Sequence, residues 1–347
     1  ISYWLSPRIV KTFRKHRPLE GQFGFARQGL ITADNDRFLR LAWEVPETEI
    51  LKFHNKKYDN KSHKKWAYYA KGGNYAPYYG DIHLTVNWKD EGREISNFFK
   101  KGKLASRPQN ISFYFKKALT YTERTTSDIS PRAMPSCCIF DCKGPVIAPS
   151  NVNVDISGML ALTNSKLYKY FVELSLAGGD GAARQFTQSI VGGVPVPSSF
   201  REISSTLGEM SRSIWKIIAE RESCIETSRF FSCQRFCLIP YSKSLKDIIL
   251  RINKYYNNKL ISILNLTLDI DNKVYQLYEL NDKDRLEIER VCGRHPIELN
   301  GSDFINLPIS KQKQLLSSEV DSIVSEFRKT DDTNKFLSKN CYYADKQ

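Results

Sequence analysis

A change of texture near residue 157 constrains this chain more than any other feature, because it separates strand-forming sequence from helix-forming sequence. Residues 20–150 hold short β-prone runs, such as 82–86 (IHLTV) and 112–115 (SFYF), broken by turn signals at Lys71-Gly72-Gly73 and Glu91-Gly92. That pattern predicts a mixed, mainly-β module. Beyond it, the apolar run 159–176 (MLALTNSKLYKYFVELSL) predicts one helix stopped at Gly178-Gly179. A short strand is expected to end at 194–197 (VPVP), where proline forbids a continuing helix. Ile203, Leu207, Met210, Ile214, Ile217 and Ile225 then follow helical spacing, and Leu245, Ile248, Ile249, Ile252, Tyr256, Leu260 and Ile263 repeat it. Two long antiparallel helices are the expected result. Shorter helices are predicted over 271–280 and 282–292, the latter closed by Gly293, with a last one over 310–328. The fold class is therefore α+β: a basic domain over 1–200, a helical spacer and docking domain over 201–330, and a frayed tail over 331–347.

The 347 residues suit two or three compact units. No apolar run approaches the ~20 residues that cross a bilayer, and the first residues lack the charged region and cleavage site of a signal peptide, so a cytoplasmic protein is expected. The start at Ile1, in mid-pattern, suggests a piece of a longer polypeptide. The eight cysteines lack the spacing of a secreted disulfide framework, and the pairs Cys138/Cys142 and Cys233/Cys237 are poor zinc signatures, so reduced thiols and no metal are expected. The net charge of +14 is unevenly placed: residues 1–150 hold 26 Lys+Arg against 14 Asp+Glu, and the rest hold 26 against 24. Lysine and arginine displace counterions from phosphates and aromatic rings cover sugars, so the first half has the composition of a polyanion-binding face. A basic domain with no such partner is the plain alternative.

Several short patterns carry that chemistry, each with a structural rival. Asp34-Asn35-Asp36-Arg37 could place Asn35 or Arg37 at DNA, or could be a turn that caps its own backbone. Lys71-Gly72-Gly73 can bring amides and an ammonium to a phosphate, or can be a hairpin turn. Arg107, Gln109 and Asn110 have the forked groups that read base edges, and Arg124 and Arg132 are further candidate base readers. Trp66, Tyr68, Tyr69, Tyr75, Tyr78 and Tyr79 could stack on sugars, but rings of this size usually build a core. Asp128 with Asp141-Cys142-Lys143 loosely imitates the acidic pair and lysine of a metal-dependent nuclease. The glycine-rich loop that holds S-adenosylmethionine and the Asn/Asp-Pro-Pro-aromatic loop that holds a flipped adenine are both absent, and Gly21-Gln22-Phe23-Gly24 does not replace them. No catalytic residue and no cofactor are expected in this chain.

The order of these patterns resembles the C-terminal part of BREX-type and fused type IIG adenine-specific DNA methyltransferases of the restriction-modification and phage-defence systems. The likeness rests on Gly29, Leu30, Thr32, Asp34, Asn35, Arg37, Phe38, Leu39 and Arg40; on Lys71, Gly72, Gly73, Tyr75, Tyr79, Gly80, Asn87 and Trp88; and on Arg107, Pro108, Gln109, Asn110, Phe113 and Tyr114. It continues through Phe140-Asp141, Leu160, Asn164, Ser165 and Lys166, the prolines of 194–197, and 274–280 with Asp282 and Asp284. The resemblance implies a target-recognition domain that binds double-stranded DNA. It would position an adenine for N6 methylation by an S-adenosylmethionine-dependent domain earlier in the same polypeptide. Its expected DNA contacts are Asn35, Arg37, Lys71, Gly72, Gly73, Tyr79, Arg107, Gln109 and Asn110, to which residue type alone adds Arg124 and Arg132, and other phage-defence proteins are further expected partners. A type I-like specificity subunit acting in trans and a metal-dependent nuclease are the alternatives.

Overall fold

The computed structural model describes residues 5–51, 64–176, 183–228, 231–234, 244–293 and 295. Gly178-Gly179, the helix expected over 310–328 and the tail over 331–347 lie outside them.

Twelve short strands alternate with ten helices among the described residues. The strands are β1 (Gly24–Arg27), β2 (Leu39–Leu41), β3 (Trp66–Ala70), β4 (Leu84–Asn87), β5 (Phe99–Lys100), β6 (Lys103–Leu104), β7 (Ala118–Thr120), β8 (Arg124–Thr125), β9 (Arg132–Met134), β10 (Cys138–Phe140), β11 (Val146–Pro149) and β12 (Arg184–Gln185). The helices are α1 (Pro7–Lys15), α2 (Leu19–Gln22), α3 (Asn35–Phe38), α4 (Lys89–Ser96), α5 (Ile156–Asn164), α6 (Lys166–Ser175), α7 (Gln188–Gly192), α8 (Phe200–Glu222), α9 (Leu245–Leu277) and α10 (Asp282–Cys292). The fold is α+β, as the change of texture predicts.

One sheet runs β1-β11-β7-β9, antiparallel throughout. A second runs β10-β3-β4-β2, with β10 parallel to β3 and the other pairs antiparallel. The aromatic and β-branched residues explain why these segments are strands, and their burial on both faces explains why the runs do not alternate cleanly. Cys138, Ile139 and Phe140 are all buried, as are four of the five residues of β3. Around them Tyr69, Val86, Trp88, Tyr114, Met134 and Phe140 form one contiguous core. Trp88, Tyr114 and Phe140 meet edge to face, with centroids 5.2–5.5 Å apart. The candidate ring cluster is thus mainly core: Trp66, Tyr69, Tyr78 and Tyr79 are buried, whereas Tyr75 is exposed.

The structure corrects four local expectations. The run 159–176 is two helices, because Ser165 leaves the helical region and caps α6, its Oγ accepting from the Tyr168 amide at 3.3 Å. The break is held from the side by Asn164, whose Nδ2 donates to the Pro131 carbonyl at 2.8 Å. The 112–115 run is not a strand: Asn110 at φ +53° starts a 3-10 turn over Ile111–Phe113, and Phe115 is again left-handed at φ +56°. Residues 188–192 form α7, and the proline segment after it makes only an isolated bridge between Pro195 and Pro18. The helix expected over 271–280 is the last part of α9, a single 33-residue helix without glycine or proline, ~50 Å long at 1.5 Å per residue. The predicted 282–292 helix is present as α10, followed by Gly293 at φ +78°.

The chain divides into two compact units, Ile1–Ala219 with Asp269–Cys292, and Glu220–Leu268 with Gly293–Gln347. In the first, α10 is fastened to the N-terminal helix: Ser6 Oγ donates to Asp284 Oδ1 at 2.7 Å, and Arg8 pairs with the same carboxylate at 3.2 Å. Within the second, the Glu220 carboxylate accepts from Tyr255 and from Lys259 Nζ, the latter at 3.0 Å, and the Tyr255 hydrogen bond is the first of the causes that hold Glu220 below its ordinary carboxylate pKa. Among the described residues no helix is long and apolar enough to cross a membrane.

Candidate nucleic-acid interface

Strand β3 delivers Lys71 to the edge of the second sheet, and the next two glycines are constrained by what lies beside them. A Cβ on Gly72 would stand 2.4 Å from the Lys143 carbonyl oxygen, so the backbone passes there only without a side chain. Gly73 is clamped by Thr122, whose Oγ1 accepts from the Gly73 amide at 3.0 Å and donates to its carbonyl at 2.9 Å. Arg132 braces the loop from below: its Nη2 donates to the Lys71 carbonyl at 3.3 Å. The loop is a braced bend at the start of the long connection between the antiparallel neighbours β3 and β4, and the Gly73 amide is already occupied. The Lys71 ammonium has no ion-pair partner among the described residues.

The Arg107 block docks on the Gly29 segment in strand-like fashion. Ile31 and Arg107 exchange both backbone hydrogen bonds, at 3.0 and 2.9 Å. Asn110 Nδ2 donates to the Gln28 carbonyl at 2.8 Å, and Gln109 Nε2 to the Gly29 carbonyl at 3.5 Å. These amides fold the loop, each with one of its donors engaged by the backbone of the Gly29 segment. Gly29 is the pivot: a Cβ there would lie 1.9 Å from the Phe140 carbonyl oxygen. Arg107 alone of this group projects an exposed cation, without an ion-pair partner among the described residues.

The remaining candidates fall into two kinds. Asp34 caps α3 by accepting from the Arg37 amide at 3.1 Å, and Asn35 Oδ1 accepts from Thr32 at 2.6 Å, so the turn satisfies itself. Arg37 is exposed but pairs with Glu94 at 2.9 Å and lies 5.1 Å from the centre of the Phe98 ring. Tyr79 is buried edge-on against Trp215, with centroids 5.5 Å apart. Arg132 is 6% exposed, and burial pulls its guanidinium pKa down to about 10. It supports the Lys71 loop from within. Arg124, by contrast, is exposed and unpaired among the described residues. Lys71, Arg107 and Arg124 are therefore the candidates whose charge stands available.

The acidic residues do not make a metal site. Asp141 is buried and accepts from the Tyr69 hydroxyl and the Lys143 amide, each at 2.5 Å. Lys143 Nζ donates to Glu123 at 2.8 Å, and Asp128 pairs with Arg184. Among the described residues no three His, Cys, Asp or Glu side chains are grouped to hold a metal, and Cys137, Cys138, Cys142, Cys224, Cys233 and Cys292 are free thiols. The motifs also pass over one exposed basic element, the β5-β6 hairpin, although it lies in a stretch without Asp or Glu from Ile95 to Thr122.

The chain is related to the BREX-type adenine-specific methyltransferases. It is 31% identical over 176 residues to the adenine-specific methyltransferase PglX of Lacticaseibacillus casei (strain Zhang), a match covering 50% of this chain and 14% of that protein. It is 26% identical over 308 residues to the adenine-specific methyltransferase BrxX of Escherichia coli O9:H4 (strain HS), covering 82% of this chain and 24% of the relative. The matched region is thus a quarter or less of each relative's length. No protein-family profile matches the chain.

Proposed function

We propose that this chain is the double-stranded-DNA recognition module of an adenine-specific DNA methyltransferase acting in phage defence or restriction-modification. The observation that carries the reading is the charge asymmetry: 26 Lys+Arg against 14 Asp+Glu in residues 1–150, with Lys71, Arg107 and Arg124 left without acidic partners among the described residues. Unpaired cations on a rigid frame cost nothing to uncover when phosphates arrive, whereas Arg37 would first have to leave Glu94. The names of the relatives support the same reading, since a methyltransferase that selects an adenine must hold DNA. Methyl transfer itself would belong to an S-adenosylmethionine-binding domain elsewhere in the parent polypeptide, with the helical region, over 201–330, as its docking and spacing element. The parent is a cytoplasmic enzyme in this proposal.

Fluorescence anisotropy on a random-sequence duplex across a salt series tests it. Each phosphate contact contributes about 0.9 to the slope of log K against log salt, so the double variant Lys71→Ala/Arg107→Ala should flatten the slope by about 1.8. Absence of duplex binding at low salt would refute the module as an autonomous DNA binder.

A further inference from the structure

We infer that the β5-β6 hairpin is a phosphate-gripping finger that lies against duplex DNA, an inference that rests on the DNA-binding reading above. Its pairing puts Lys100 directly opposite Lys103 and Phe99 opposite Leu104, joined by Lys101 and Gly102. Three features of this ribbon oppose its own stability. Like charges face each other across Lys100 and Lys103, a repulsive cross-strand pair. Lys101 sits at φ +52° and Gly102 at φ +74°, the two positive angles of a type I′ turn, whose first position suits Asn, Asp or Gly and strains a lysine. Phe99 and Leu104, 60% and 52% exposed, leave an apolar pair in water at the ribbon's base. A hairpin shaped only by folding would carry Asn-Gly at the turn, opposite charges across the strands and polar residues at the base.

A polyanionic duplex turns all three features to advantage. The ammonium groups of Lys100, Lys101 and Lys103 are exposed, and none has an acidic partner among the described residues. From Ile95 to Thr122 the chain has six Lys and Arg and no Asp or Glu, so no carboxylate of its own segment competes with phosphate. The apolar pair offers a surface to sugars beside the charged tip. The base is firm: the Ala105 amide donates to the Phe98 carbonyl at 2.9 Å, and Ser106 Oγ donates to the Ile95 carbonyl. Phe98 packs against the core, so the ribbon stands on a fixed foundation. At its foot opens a cleft of about 580 Å³ of mixed charge, lined by Lys89, Arg93 and Phe99 and also by Asp90 and Glu94, the latter paired with Arg37, so the uncompensated charge lies on the ribbon itself. A two-stranded ribbon also has the breadth that a DNA groove accepts.

The test uses the whole chain and compares wild type, Lys101→Asn and Lys100→Ala/Lys101→Asn/Lys103→Ala in the same salt series. Lys101→Asn removes one charge and gives the turn its preferred Asn-Gly, so a folding role predicts equal or better behaviour, whereas a phosphate contact predicts weaker binding. The expected result is an about eightfold loss of affinity at 0.1 M salt for Lys101→Asn, with an unchanged or higher melting temperature. The triple variant should flatten the slope by up to about 2.7. If wild type binds and both variants keep its affinity and slope, or lose affinity only together with melting temperature, the finger is overturned while the DNA-binding reading stands. If wild type itself does not bind, both fall.

Discussion

Replacing Asp141 separates a structural carboxylate from a chemical one. In the fold its two oxygens serve different donors: Oδ2 accepts from the Tyr69 hydroxyl and Oδ1 from the Lys143 amide, both at 2.5 Å, with the residue 4% exposed. Hydrogen bonds to a charged group contribute about 1.5–3 kcal/mol each, about 3–6 kcal/mol for the two, so Asp141→Ala should destabilise the fold by about 3–5 kcal/mol once the bond that Tyr69 retains is discounted. Tyr69 keeps its second acceptor, the Leu30 carbonyl at 3.1 Å, which places the loss toward the lower end. Asp141→Asn can present only one acceptor, and its NH₂ meets a donor on the other side, so about half of the loss should remain. For a unit of this size 1 kcal/mol corresponds to about 2–4 °C, so the alanine variant should melt about 6–20 °C early by calorimetry, and the asparagine variant between it and wild type. Both melting within a degree of wild type would refute the argument. Retained stability together with loss of a metal-dependent cleavage would restore Asp141 to the nuclease reading.

Two further outcomes follow from the same packing. Gly29→Ala pushes a methyl group to 1.9 Å from a backbone oxygen that cannot rotate away, so urea denaturation should show a loss of about 3 kcal/mol or more, at or beyond the upper end of ordinary overpacking. Asp271 is buried, its carboxylate accepts from the Lys166 amide at 2.7 Å, and burial raises its pKa to about 6 from 3.8. The folded state therefore holds a proton that the unfolded chain has released between these values, so this group's contribution falls as pH rises from about 4 to 6, by about 3 kcal/mol in all. Asp271→Asn, measured by denaturation across that range, should remove this part of the slope.

Where the sequence was readable, and where it was not, depended on how local the cause is. The helices α8 and α10 follow from spacing and from a glycine just past the end, both contained in a few turns of chain. The split at Ser165 has a local signal, the polar stretch Thr163-Asn164-Ser165-Lys166 with a capping serine inside a largely apolar run, but the period spans it, and the Asn164 hydrogen bond to a carbonyl 33 residues away that holds the break is not visible in the sequence. The 112–115 segment has strand composition but enters a turn, since neighbours distant in sequence hold Asn110 left-handed through the Gln28 carbonyl. The same rule sorts the candidate contacts. Residue type alone makes Arg37, Arg107 and Arg132 equivalent, and only the fold reveals that one is paired, one free and one buried. The β5-β6 lysines are hard to see in the sequence for the opposite reason. Their signal is an absence of acid over a long stretch, which motif reading does not weigh.

The clasp between Ser6, Arg8 and Asp284 has a consequence for how the molecule comes into being. The first unit takes its final pieces, Asp269–Cys292, from beyond an excursion through the second, so on a ribosome its strands are all made long before the helical segment that completes the unit. Until then the groups that meet α10, among them Tyr170, which donates to Glu287 at 2.8 Å, stand without their partners. Nascent chains halted before residue 269 should therefore be digested readily by protease, and chains long enough to expose residue 292 should become resistant in a single step.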